Sequence, residues 1–536
     1  MKSSGNRFFV TVASTLIVVA TLVSSSVQAS AGKVITLSLT SEPPQLNTSK
    51  ATDTASGFIL GHVNEGLMRN GKNGETVPGV AEKYEINDKG ATFHLRKTAK
   101  WSDGKPVTAK DFVFAWRLAV DPKNASEYAF ILYPVKNAEA VNQGKKPVTE
   151  LGVKAVDDYT LKVEFEKPCG YFLGLTAFVT YMPIREDFYK TRNDKYGAES
   201  ADLLSNGPFV LSKWVHGASL QMDKNPNYWN AAAVKIDRIE IPYITNDNTA
   251  IFNFFKDKKI DMIERLGKDE LPLAQKAGYR MNSYSDGSVW YMEFNFRDGR
   301  ATKNKNLRKA IEAVFNPKEY TTKIVAIPGT KELNALIPSW IKGTKDSFRK
   351  EYKVADHKTD LAAAKKFADA ARKELGGSIP ALIWLCDDTP SASREAEYFQ
   401  SVFKQQLGID LKIDKQIFKQ RLAKMTAGDF DIVAAGWGPD YADPMTFADL
   451  KTSWNENNRG LWKNAEYDKL IRLAQSTSNV KKRMDAMAAA EKIMLDDVAI
   501  LPKYERVQIF VTHDRLKGVQ RKQIGADPDL TAATVN

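Results

Sequence analysis

Cysteine is nearly absent from this sequence: 536 residues hold two, Cys169 and Cys386. A disulfide-stapled scaffold is excluded, and a cysteine-rich metal centre with it. Histidine is scarce too. His62, His94, His216, His357 and His513 sit in unrelated contexts, with no metal-ligand spacing among them. There is no HExxH helix, no phosphate-binding loop, no nucleophile elbow and no Ser/His/Asp set. The expectation is a protein without metal, cofactor or enzymatic chemistry. Apolar runs long enough to span a bilayer are missing beyond the N-terminus. Blocks of one charge are missing as well. The net charge is +12, but Lys and Arg are interleaved with Asp and Glu. No basic run with stacking aromatics offers itself to nucleic acid.

What is present begins with an export signal. Lys2 and Arg7 form a positive start, residues 8–23 are mostly apolar, and Val27-Gln28-Ala29 is a small-x-small cleavage pattern. Residues 1–29 are therefore expected to be removed, leaving a net charge of about +10. No cysteine follows the apolar stretch, so a lipid anchor has no acceptor and a free periplasmic protein is expected. Hydrophobic residues at 43% and charged residues at 26% suit a soluble globular chain. Its length calls for two or three folding units. The two cysteines fall in different parts of the chain and are expected to stay unpaired.

The patterning is mixed. Val34, Ile35, Leu37 and Leu39 make a short strand. Residues 92–96 alternate as another, and Leu161, Val163 and Phe165 as a third. Thr108 with Asp111 three residues on predicts a capping box before a helix. Ile236, Ile239, Ile241 and Tyr243 read as a core strand, with a helix at 247–255. Beyond 286, strands and helices alternate: a strand over Trp290, Met292, Phe294 and Phe296, then helices at about 304–315, 359–375 and 391–407. Thr359 is expected to cap the second of these and Gly376-Gly377 to end it. Strands follow at 379–385, 409–413 and 430–435, with a long helix at 480–496. This alternation predicts an α/β fold with a helix-covered sheet. A strand over 507–511 has no helix of its own and should join a sheet begun elsewhere.

One constellation stands out: Gly436-Trp437-Gly438-Pro439-Asp440-Tyr441-Ala442-Asp443-Pro444. A buried strand ends in two glycines around a tryptophan. Glycines permit close main-chain approach by a ligand, and the indole offers an apolar wall. Asp440 follows at the carboxyl end of the strand, where α/β sheets place ligand clefts, and its carboxylate suits an ammonium group. The alternatives are a strand-to-loop turn with capping aspartates, or Asp440 and Asp443 as an acid/base pair.

The chain resembles the oligopeptide and dipeptide solute-binding proteins of ABC importers (the bacterial extracellular solute-binding proteins, family 5). The likeness rests on Pro78-Gly79-Val80-Ala81-Glu82, residues 92–96, Trp101-Ser102-Asp103-Gly104, residues 107–112, Asn206-Gly207-Pro208-Phe209, Asn225-Pro226-Asn227-Tyr228-Trp229 and the segment around Trp437. It implies a two-lobed α/β periplasmic-binding-protein fold with a hinge and an additional inserted domain. Lobe I would be 33–64, 181–285 and 505–536, the extra domain 65–180, and the other lobe 286–504. It implies a monomer that holds a peptide in extended form and delivers it to a membrane permease. Asp440 takes the family position for the ligand's α-ammonium. Gly436, Trp437, Gly438, Tyr441 and Phe418 are expected around it, with either Thr52 or Asp53 from lobe I. Arg394 lies close to the position where some members carry a histidine near the ligand's carboxylate. Within the same fold the solute could instead be a cell-wall peptide, a nickel chelate, haem or an opine. A sensory or chaperone role also stays open.

Overall fold

The structure, a computed structural model, describes Met1, residues 32–72 and residues 74–536. The expected signal and its cleavage pattern, Met1 apart, lie outside the described residues. In chain order the main strands are β1 (Val34–Leu39), β2 (Ala81–Asn87), β3 (Gly90–Leu95), β4 (Val153–Asp157), β5 (Thr160–Glu164), β6 (Phe209–Val215) and β7 (Ser219–Lys224). They continue with β8 (Arg238–Ile244), β9 (Met262–Ile263), β10 (Asn282–Phe294), β11 (Leu382–Asp387), β12 (Leu411–Gln416), β13 (Ile432–Trp437) and β14 (Ile500–Thr512). The main helices are α1 (Thr54–Val63), α2 (Ala109–Val120), α3 (Asn248–Lys256), α4 (Lys305–Val314), α5 (Leu361–Glu374), α6 (Pro390–Val402), α7 (Phe418–Ala427) and α8 (Val480–Asp496).

The helices form where apolar spacing and caps agree. In α4, Leu307, Ala310, Ile311 and Val314 are buried at helical spacing, and the Asn304 side chain accepts the Leu307 N–H at 2.9 Å. In α2, the Asp111 carboxylate accepts the Thr108 N–H at 2.8 Å, the acidic half of the predicted capping box. For α5 the expected cap is corrected. Asp360 accepts the Ala363 N–H at 2.9 Å, while the Thr359 hydroxyl donates to the Phe315 carbonyl at 2.8 Å. Asp and Thr are both good caps, and the tie to Phe315 takes Thr359 away. Gly376 and Gly377, at φ +85° and +106°, then turn the chain out of the helix. The turn after α6 is π-helical, over Phe403–Leu407.

Three main sheets result. The first has the order β1-β8-β7-β6, with β1 parallel to β8 and the rest antiparallel. The second, β2-β3-β5-β4, is wholly antiparallel and comes from one continuous stretch of chain. Its apolar side adjoins Trp101, Phe112 and Trp116, all fully buried. The third follows β9-β14-β10-β13-β11-β12, with β11 parallel to both β12 and β13. In it β10 and β14, 13 residues each, run antiparallel from Asn282 opposite Phe510 to Glu293 opposite Ile500. Their ladder breaks at Ser285/Val289 and again at Trp290/Tyr291. One end of the pair reaches β9 and the other lies beside β13. The predicted strand at 507–511 is the far half of β14. Its near half escaped notice because Pro502, Lys503 and Glu505 interrupt the apolar pattern, although Lys503 and Glu505 are buried. Among the described residues no helix is long and apolar enough to cross a membrane.

Candidate functional site

A cavity of about 1280 Å³ opens against the carboxyl end of β13. It exceeds the roughly 300–1,000 Å³ of an ordinary small-molecule site. Its wall takes Thr52, Asp53 and the start of α1 from one side, and Tyr128 and Phe178 from another. Residues 434–440 and the β14 side chains Tyr504 and Arg506 contribute too.

Ile432 and Val433 have ladder partners on both sides, β10 and β11, whereas Ala435, Gly436 and Trp437 pair only with β10. The Ala434 carbonyl accepts from Arg421 Nη1 at 3.3 Å. Beyond it, the outer edge of the strand has no ladder partner among the described residues. Buried main-chain donors and acceptors seldom go unpaired, so this edge suits a ligand's main chain.

The glycines need one correction. A Cβ on Gly436 would stand 2.9 Å from the Trp290 ring, which lies opposite it on β10. Gly436 therefore makes room for an indole of the protein itself, while the residue also lines the cavity. A Cβ on Gly438 would meet the Ser288 hydroxyl at 3.4 Å. Trp437 forms the wall and faces Tyr128, ring centroids 6.3 Å apart and planes at 15°.

Asp440 follows, its N–H donating to the Thr446 hydroxyl at 3.0 Å. Its carboxylate accepts from the Tyr128 hydroxyl at 3.4 Å to each oxygen. It has no cationic partner within 4 Å among the described residues. Burial holds the Asp440 carboxyl well above the usual range. The nearby Asp449 adds to this, and the Tyr128 hydroxyl works against it. Asp449 is itself buried and pushed up to about 8, chiefly by burial and then by Asp443. Asp443 is not a second free acid. It holds Arg483 in a two-pronged ion pair at 2.8 and 3.1 Å.

The remaining expected residues separate. Thr52 and Asp53 both line the cavity. Asp53 caps α1, accepting the Ser56 N–H at 2.8 Å and the Ser56 hydroxyl at 2.7 Å. Phe418 lines the wall beneath the Arg421 guanidinium, 5.4 Å away. Arg394 also lines it and pairs with Asp269 at 2.9 Å. Tyr441 is not brought into the lining. It is buried and stacks on Tyr171, centroids 5.3 Å apart, because its side chain leaves the loop on the face away from the cavity. Sequence reasoning missed Tyr128, and also Arg459, which reaches Glu127 at 2.9 Å. Nothing local marks Tyr128; only the fold brings it to a carboxylate 312 residues away.

His62 holds structure. Buried His62 donates from Nδ1 to the Phe58 carbonyl at 2.8 Å and accepts the Leu530 N–H at Nε2, 3.1 Å. Among the described residues no group of three or more His, Cys, Asp or Glu could hold a metal. Cys169 and Cys386 are separate buried thiols, both pushed up to about 12 by burial.

A family profile described as "Bacterial extracellular solute-binding proteins, family 5 Middle" matches residues 75–459. The chain belongs to this family. Family 5 relatives include the oligopeptide-binding protein OppA of Bacillus subtilis, 34% identical over 497 residues, covering 90% of each chain. Among solved structures, Listeria monocytogenes OppA bound to peptide superposes with a TM-score of 0.89 at 34% identity. The match covers 95% of this chain and 100% of that one. The fold is thus the two-lobed α/β fold of solute-binding proteins. Two structures of the murein tripeptide-binding protein MppA, one of them described as from Escherichia coli, are each matched over 94% of this chain. One gives a TM-score of 0.86 and the other, an unliganded open form, gives 0.62. Both are 28% identical to this chain and cover 99% and 98% of their own. The difference is one of arrangement, so the present structure is unlike the open form.

Proposed function

We propose that this family 5 protein captures peptides in extended form between two lobes and passes them unchanged to a membrane permease of an ABC importer. The ligand main chain pairs with the outer edge of residues 435–437, as an added strand, and its α-ammonium meets Asp440. Recognition through the main chain is indifferent to side-chain identity, and water in a roomy cavity adapts the rest. The reading is supported by relatives named for oligopeptide binding and by a peptide-bound structure of the same fold.

The observation that carries it is the Asp440 carboxylate, with no cation beside it among the described residues, at the end of an open-edged strand facing the cavity. The empty site disfavours the charged carboxylate, and a ligand ammonium beside it restores the charged form. The lobes are 33–64 with 181–285 and 505–536, and 286–504, with 65–180 as the extra domain. Both crossings between them, at 285/286 and 504/505, fall inside the long strands β10 and β14, whose irregular ladder suits a two-strand hinge. The protein works as a monomer in the periplasm, after loss of residues 1–29. Mass spectrometry of ligands carried through purification should find peptides with free amino termini. The same peptides should be recovered intact after long incubation. Recovery of non-peptide solutes alone, or cleavage of the peptides, would overturn this function.

A further inference from the structure

Glu264 lies in the cavity wall and plays no part in the arrangement above. Its backbone is pinned on both sides. Ile263 pairs with Val511 in the ladder of β9 and β14, and the Leu266 N–H donates to the Ile509 carbonyl at 2.8 Å. The backbone of Glu264 is thus fixed where the residue lines the cavity. Its Oε1 is fully shielded and has no hydrogen-bond partner. Among the described residues no Lys, Arg or His lies within 4 Å of the carboxylate.

Three cations nearby are already committed. Arg521 binds Asp527 at 2.8 and 3.0 Å, Arg506 binds Asp286 at 2.5 Å, and Lys522 binds Asp529 at 2.5 Å. Arg265 is exposed and acts on Glu264 only through space. A carboxylate with one shielded oxygen left unbonded and no cation beside it among the described residues is an anomaly that calls for a partner. Its position accords with its titration. Burial pushes Glu264 up to about 7, against the attraction of Arg265 and Arg521. A cation arriving from the cavity would draw it back to the charged form.

We infer that Glu264 is a second cation-binding point in the cavity, and that favoured ligands carry a basic side chain besides a free amino terminus. This rests on the peptide reading above and narrows it. A hydrogen-bonded charge pair of this kind is worth about 10–100-fold in affinity.

Calorimetric titration of pentaalanine, and of variants with one lysine or one norleucine at each position from the second to the fifth, tests it. One lysine position should bind about 10–100-fold tighter than its norleucine counterpart. Glu264→Gln should abolish that gain while holding pentaalanine within about threefold of wild type, itself a check on folding. If no lysine position gains, or if the gain survives Glu264→Gln, the inference fails while peptide capture stands. If none of the peptides binds, peptide capture fails and the inference falls with it.

Discussion

Asp53 and Asp440 line one cavity, and burial pushes both carboxyls up. Asp53 opens a helix, and both its oxygens are taken by Ser56. Asp440 follows a strand, a glycine and a proline, where no helix start needs a cap. Among the described residues, one long contact from Tyr128 is all that its carboxylate has. Two acids in one cavity thus have different tasks. One fixes the local fold and the other is left available. An acid in a cleft is a ligand anchor only when the backbone beside it makes no claim on its oxygens.

The largest expected effect separates the two acids directly. Asp440→Asn should weaken binding of a free-amino peptide by two to three orders of magnitude, since breaking a buried ion pair costs about 3–5 kcal/mol. Asp53→Asn, which keeps a good cap, should change affinity by no more than a few-fold. Equal losses in calorimetry would erase the distinction between them.

The second effect is pH dependence. The empty protein holds a proton on Asp440 more tightly than an ordinary carboxyl does, whereas the pair with an ammonium needs the carboxylate. Affinity should therefore fall as pH drops through the raised Asp440 range, approaching about tenfold per unit below it. It should fall again above pH about 8 as the ligand's amine loses its proton. Asp53→Asn should keep this profile and Asp440→Asn should flatten its acid limb.

The third effect concerns stability. Asp449 titrates near 8 in the folded chain, against about 3.9 when unfolded. The native state thus binds the proton more tightly than the unfolded chain, and its stability falls as pH rises from about 4 towards 8. Asp449→Asn should raise stability at pH 7 by about 1–3 kcal/mol, with the gain vanishing below pH about 4. Denaturant melts at pH 4 and pH 7 check this. The smallest effect belongs to Asp53→Ala, which should cost about 0.5–2 kcal/mol as a lost helix cap. Peptide affinity should hardly change.

Much of this was legible in the sequence, for definable reasons. The strand–glycine–tryptophan–aspartate run showed where a strand ends, and sheet geometry then says a cleft lies there. The helices predicted at about 304–315, 391–407 and 480–496 correspond to α4, to α6 with its π-helical turn, and to α8. Other features were illegible because they depend on distant partners. Tyr128 reaches Asp440 across 312 residues. The room beside Gly436 is filled by Trp290 from another strand. Thr359 and Asp360 look equally fit to cap a helix until Phe315 claims the threonine. Lys503 and Glu505 hide half of a long strand because their partners, Glu395 and Ser339, lie far off in the chain.

The central claim is that Asp440 meets the ligand's ammonium group. Its most direct test is a four-way calorimetric titration: one pentapeptide and its N-acetylated form, each with wild type and with Asp440→Asn. The expected result is a large loss on acetylation in the wild type and little further loss on acetylation in the variant, because both changes remove one interaction. Equal losses on acetylation in the two proteins would contradict the claim.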